Sequence, residues 1–251
     1  LCPSRCSPML IESAKGKVSM SQHSQFALLK SRRFLPFFVT QLLGAFNDNI
    51  FKQSLILAIL FKLSLDADRD LLVNVAAMLF ILPFFLFSAL GGQFGEKFAK
   101  DLLIRRLKFF EIFIMLVGAL GVLLGNLTLM LAVLFTMGIQ SALFGPVKYS
   151  ILPQALKPEE LVGGNALVEM GTFLAILAGT IGAGIMLTSA NYSVIVAVSV
   201  VLVAMLGYLS ARGIPRAGAA LPDLALDWNI FRQTWLTLRM GLTQPKAVSR
   251  S

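Results

Sequence analysis

The chain has 251 residues, of which 57% are hydrophobic and only 14% charged, with a mean hydropathy of +0.79. Soluble domains carry about 25% charged residues, so this composition excludes an ordinary soluble fold and specifies a membrane protein. The net charge of +9 accordingly bears on membrane topology and not on nucleic-acid binding.

The chemistry available is limited. Both cysteines, Cys2 and Cys6, stand in the first six residues, and the single histidine, His23, precedes every apolar segment. A disulfide scaffold, a cysteine metal site and histidine-based catalysis within the membrane are thereby excluded. No enzyme activity, metal or cofactor is expected.

Residues 1–19 lack periodicity and do not begin with Met, whereas Met20 opens a stretch that resembles a natural start. The run 9–11 is too short for the apolar core of a signal peptide, so 1–19 is expected to be a tail or an upstream extension of a cytoplasmic segment 1–33.

Six apolar segments follow, at 34–63, 71–92, 107–125, 127–145, 161–187 and 194–211, making residues 34–211 an all-α six-helix membrane domain. Within the first lies QLLGAFNDNIFK, residues 41–52. A helix over 34–63 would be roughly 45 Å long and would hold Asp48 near its midpoint. A charge at that depth costs about 2.5–3.5 kcal/mol, and Lys52 adds a similar amount. The surrounding apolar side chains return only ~0.3–0.6 kcal/mol each, so the two sums nearly cancel. Such a helix spans a bilayer only with its polar side turned to other helices or to a wet cavity. Gln41, Ala45, Asp48 and Lys52 share one face, with Asn47 and Asn49 flanking it and Gly44 just before. Asp48 precedes Lys52 by four residues, the favoured order for an ion pair. That pair either tethers the helix to its neighbours or lines a solute or proton path, and ionisable groups at bilayer depth favour the second.

The second segment carries Pro83 in mid-span, which predicts a kink. The third and fourth meet at Asn126 and predict a tight helical hairpin. In the third, Glu111 is expected near the inner edge, solvated or paired with Lys108. The fifth has a small-residue seam of Gly171, Ala175, Gly179 and Ala183 for close packing. Beside it runs a polar stripe of Asn165, Glu169, Thr172 and Thr180, in which Glu169 is expected to face Lys148 or Lys52.

Basic residues set the orientation. Six precede the first segment, five lie between the second and third (Lys97, Lys100, Arg105, Arg106, Lys108), two follow the fourth (Lys148, Lys157), and six follow the sixth. Only Lys62 and Arg69 fall on the opposite sides. Both termini are expected in the cytoplasm. After Arg212 the chain becomes polar and Pro/Gly-rich, and Trp228, Phe231, Trp235, Leu238 and Leu242 then predict an amphipathic interfacial helix over 227–242 within a cytoplasmic segment 212–251.

Between the second and third segments, Gly92, Phe94, Gly95, Glu96, Lys97 and Lys100 resemble the G-x-L-A-D-R-x-G-R-R signature of the major facilitator superfamily. The match departs in Glu96 for Asp, Ala99 for Gly and Asp101 for a basic residue. The resemblance implies nested three-helix repeats of inverted topology. It also implies that Gly92, Gly95, Glu96, Lys97 and Lys100 form a loop that latches two six-helix halves together. A Gly-interrupted counterpart of 41–52 is then expected over 138–149, in and just after the fourth segment, where Gln140 and Lys148 stand. Within the superfamily, QLLGAFNDNIFKQSL and the run GPVKYSILPQ followed by L-V-G-G-N are similar to the bacterial lysophospholipid transporter family, including forms fused to an acyltransferase and an acyl-carrier-protein ligase. That similarity covers 34–211 and implies the N-terminal half of such a transporter, with a second six-helix half missing.

It further implies a bacterial inner-membrane protein that moves lysophosphatidylethanolamine-like lipids to the inner leaflet. Gln41, Asn47, Asp48, Asn49, Lys52, Gln140, Lys148, Asn165 and Glu169 would line the substrate or ion pathway. Two other readings remain: a transporter of a drug or metabolite, and a membrane anchor for a fused acyltransferase.

Overall fold

The computed structural model describes residues 25–63 and 68–219, with Leu221, Asp223 and Arg239. The described residues form helices and their connections, with no strand among them. The helices are α1 Leu35–Phe61, α2 Arg69–Lys97, α3 Lys100–Leu124, α4 Leu127–Ser150, the single turn α5 Leu152–Ala155, α6 Leu161–Leu187 and α7 Tyr192–Arg212. Short 3-10 turns at Gln25–Lys30 and Pro158–Glu160 precede α1 and α6. The helix expected over 227–242 lies, Arg239 apart, outside the described residues.

Local chemistry sets the ends. Proline in the first turn opens α1. The Asp68 carboxylate accepts from the backbone N–H groups of Asp70 and Leu71 and caps α2. Gly125, at φ +61°, closes α3 in the left-handed conformation, and Asn126 caps α4 by accepting from the Leu129 N–H at 3.0 Å. The hairpin therefore turns on two residues.

The basic stretch expected as a long loop between the second and third segments is instead helical except for Phe98 and Ala99. Long basic side chains can reach the interface while the helix that carries them continues, so the charge run does not mark a break in the backbone. The fourth helix likewise runs on past Gly145 to Ser150.

Five helices are long and apolar enough to cross a membrane: α2, α3, α4, α6 with its preceding turn, and α7. This makes the chain a multi-pass membrane protein. The helix left out, α1, is the one whose hydropathy is lowered by Gln41, Asn47, Asp48, Asn49, Lys52 and Gln53. It is also the most enclosed, with no exposed residue between Pro36 and Leu60. It packs chiefly on α6 and α7, while α2 packs on α4, and α3 on α7 and α4.

The α1–α6 contact runs through the small-residue seam, and Gly171, Ala175, Gly179 and Ala183 are all buried. A Cβ on Gly179 would stand 2.9 Å from both the Asn49 Cβ and the Phe46 carbonyl oxygen. A Cβ on Gly182 would meet nothing within 4 Å. Gly179→Val should therefore lower the thermal stability of the detergent-solubilised chain by about 1–3 kcal/mol, the range for overpacking against backbone. Gly182→Val should melt like the parent, and equal losses from both would refute the close contact.

The core is divided in two. One apolar cluster includes Ile50, Phe51 and Leu55 of α1, Met115 of α3, Met137 of α4 and Ala204 of α7. The other includes Phe34 at the entry to α1, Phe37 of α1, Ile104 of α3, Val147 of α4 and Ala211 of α7. On each of these four helices the two clusters leave a gap, and polar side chains or glycine occupy it.

Candidate functional site

The gap on α3 holds Lys108 and Glu111, both almost wholly buried and paired at 2.5 Å. Eleven residues from the start of α3, Glu111 is about 17 Å into the helix. The expectation of an edge position was wrong because the helix begins at Lys100 and not at 107; pairing with Lys108 is observed, but inside the bundle. Asn47 of α1 donates to Glu111 Oε1 at 3.2 Å, and Gln140 of α4 donates to Glu111 Oε2 at 3.3 Å. Each carboxylate oxygen is satisfied, as a buried anion requires. Lys108 Nζ also lies 5.3 Å from the centroid of the Phe144 ring.

Glycines make room for the ammonium. A Cβ on Gly44 would fall 2.3 Å from Lys108 Nζ, and one on Gly207 of α7 would meet Lys108 Cδ at 3.9 Å. The glycine in the polar stretch of the first segment is thus the recess into which a lysine from another helix fits.

Asp48 stands beside this pair, and its Oδ2 accepts from Ser141 Oγ of α4 at 2.6 Å. Its Oδ1 is buried without a partner, as is Asn47 Oδ1. The charges acting on it are those of Glu111, Lys108 and Lys52. The ion pair expected between Asp48 and Lys52 is absent among the described residues. Lys52 Nζ instead lies over the Phe80 ring of α2, 5.0 Å from its centroid. The reason is geometric: Ser141 reaches Asp48 from the facing helix, whereas a helical i,i+4 pair needs both side chains free to lean together. Asn49 turns back on its own helix and donates to the Ala45 carbonyl at 2.7 Å.

A second polar chain crosses from α1 to α4 and α6. Gln41 Nε2 donates to the Val168 carbonyl at 3.3 Å, and Thr172 Oγ1 donates to Gln41 Oε1 at 3.0 Å. Lys148 Nζ donates to Thr172 Oγ1 at 3.0 Å and lies 3.6 Å from Glu169, which also accepts from the Tyr149 hydroxyl. Of the two partners foreseen for Glu169, Lys148 is the one found. Asn165 does not join the chain: exposed, it donates to the Leu161 carbonyl of its own helix at 3.0 Å.

Around the α2–α3 turn, the side chain of Glu96 and that of Lys97 make no ion pair among the described residues, and Lys100 is buried. Gly95 faces Val147 and Ser150 of α4, and Gly92 faces open space. The segment following α7 lies across this turn. Leu221 N–H donates to the Glu96 carbonyl at 2.9 Å, Ala217 N–H to Asp101 at 3.1 Å, and Arg105 to the Ile214 carbonyl at 2.7 Å. Asp101, which departs from the signature, serves this contact.

Sequence reasoning missed the Lys108–Glu111 pair as the centre of the layer, and Ser141 as the partner of Asp48. The pair had a readable signal, an acid three residues after a base on an apolar helix. Ser141 had none, since only the packing of α1 against α4 brings it to Asp48.

No protein-family model matches the chain. It is 31% identical over 218 residues to the protein named lysophospholipid transporter LplT of Escherichia fergusonii, a match covering 86% of this chain and 51% of the relative. It is 33% identical over 205 residues to proteins of the same name from Salmonella schwarzengrund and Salmonella newport, covering 81% of this chain and 48% of each. By these matches the chain is a homologue of the bacterial lysophospholipid transporters and spans about half their length.

Proposed function

We propose that these residues form the N-terminal half of a major-facilitator-type transporter. It would carry lysophospholipid, with a lysophosphatidylethanolamine-like headgroup, to the inner leaflet of a bacterial inner membrane. On this reading α1 is the sixth span, both termini are cytoplasmic, and a second six-helix half completes the path. A fused or associated acyltransferase would then consume the delivered lipid. The observation that carries the reading is the charged layer held between two apolar clusters by α1, α3 and α4 in a homologue of these transporters. A membrane anchor has no use for a carboxylate with a free oxygen at that depth, given the cost of placing it there.

The packing supports inverted three-helix repeats. Exchanging α1 with α4, α2 with α6 and α3 with α7 turns the α1–α6 contact into α4–α2 and the α1–α7 contact into α4–α3. The α3–α7 contact maps onto itself. These are the main helix pairs of the bundle, as expected when two such units pack about a pseudo-two-fold axis. In this arrangement α1 and α4 are equivalent, and their polar groups line the substrate side. Asp48 would meet the headgroup ammonium or a coupling ion, and Lys52, Lys148 and Glu169 would set the charge around its phosphate.

The test is uptake in spheroplasts expressing the longest reading frame that contains this sequence. Labelled lysophosphatidylethanolamine should be taken up and should be displaced by unlabelled lysolipid but not by small polar solutes. Displacement by a drug-like or metabolite solute alone would transfer the fold to another cargo.

A further inference from the structure

The outer face of α3 and α7 carries a feature the transport reading does not use. Leu102, Arg105, Arg106, Phe109, Phe110 and Tyr208 line an open groove of about 320 Å³. Arg106 is exposed and makes no hydrogen bond or ion pair among the described residues. Arg105 is partly compensated by Asp101 at 3.6 Å and donates to the Ile214 carbonyl at 2.7 Å, so Arg106 is the uncompensated charge. The groove therefore holds an excess of positive charge. Toward the membrane centre, the rings of Phe109 and Tyr208 lie 5.7 Å apart and Phe110 is exposed.

Depth places this cluster at the boundary between headgroups and hydrocarbon. α3 is about 37 Å long against a hydrocarbon core of about 30 Å, so its first few residues lie outside the core. Arg105 and Arg106, about 8–9 Å from the start of α3, then stand at the hydrocarbon boundary, with Phe109 and Phe110 one turn deeper. From there the long Arg106 side chain, leaning toward the helix N-terminus, reaches up to the phosphate level. Tyr208, one turn before the end of α7, is at the level where tyrosine is enriched in membrane proteins.

We propose that this groove holds one anionic diacyl phospholipid of the phosphatidylglycerol type. Its phosphodiester is bound by Arg106, with Arg105, held by the Ile214 carbonyl and Asp101, adding positive charge behind it, and one acyl chain lies along Phe109, Phe110 and Tyr208. Guanidinium groups suit a phosphate because two N–H groups can meet two oxygens. A zwitterionic lipid brings a cation that the same two arginines repel. The inference needs only that α3 and α7 span a bilayer, and it stands apart from the identity of any transported solute.

Native mass spectrometry of the 251-residue chain, delipidated and titrated with phosphatidylglycerol or phosphatidylcholine of matched chains, tests it. One phosphatidylglycerol adduct should persist where the phosphatidylcholine adduct is lost. Arg106→Gln should weaken it about fivefold, the effect of one basic residue at the membrane surface. Arg106→Lys should retain part of the binding, and Arg212→Gln, exposed at the same interface but outside the groove, should retain all of it. Equal retention of the two lipids, an equal loss from Arg212→Gln, or displacement by glycerol phosphate lacking acyl chains would each overturn the proposal. Folding of Arg106→Gln is checked by helical circular dichroism; should it fail, Leu102→Trp, which fills the groove without touching the charge, must displace the adduct for the proposal to stand.

Discussion

Lys108→Met should destabilise the detergent-solubilised chain by about 3–5 kcal/mol, the range for removing one partner of a buried ion pair. The methionine keeps most of the volume beside Gly44 but leaves Glu111 as an anion supported only by Asn47 and Gln140. For a chain of this length the loss corresponds to a melting temperature lower by about 6–20 °C. Lys108→Met combined with Glu111→Gln should recover most of it, because both charges are then gone and the glutamine can still accept from Asn47. The measurement is a double-mutant cycle followed by helical circular dichroism on heating. A single variant that melts like the parent, or two losses that simply add, would show that the pair is not coupled.

Asp48→Asn should leave insertion and thermal stability intact while sharply lowering lysolipid uptake in the longest reading frame. Asparagine keeps the size of the side chain and can still accept from Ser141, so the α1–α4 contact survives. What it removes is the carboxylate left over once Lys108 and Glu111 have neutralised each other. A hydrogen bond to a charged group contributes about 1.5–3 kcal/mol, so the loss in uptake should be roughly tenfold to a hundredfold. Asn165→Ala, at an exposed site bonded only to its own helix, should transport normally. Unchanged uptake by Asp48→Asn in a stable, inserted protein would remove the central role assigned to this aspartate. Equal loss from Asn165→Ala would indicate an effect on the fold instead.

Much of the architecture could be read in the chain because a bilayer leaves few alternatives. Without water, backbone groups must bond within their own segment, so each long apolar stretch must be a helix. The α6 seam was legible for a related reason: small residues four apart put a flat strip on a helix, and another helix fills it. The boundaries near charges were the weak point. Lys100, Arg105, Arg106 and Lys108 lower local hydropathy as a loop does, yet they lie on the first turns of α3. That shift of about two turns put Glu111 at the membrane edge on paper and at the centre of the bundle in the structure.

Composition and periodicity alone determined that this is a helical membrane protein whose first helix must hide its polar side, since Asp48 and its neighbours cannot face lipid at tolerable cost. Which groups receive them was decided by tertiary packing. Lys52 lies over Phe80, Asp48 meets Ser141, and Lys108 enters the recess at Gly44. Hydrophobic patterning acts along one helix and is written in the order of its residues. A hydrogen bond or ion pair between helices depends on how two surfaces rotate and approach, and that is settled only when all of them pack.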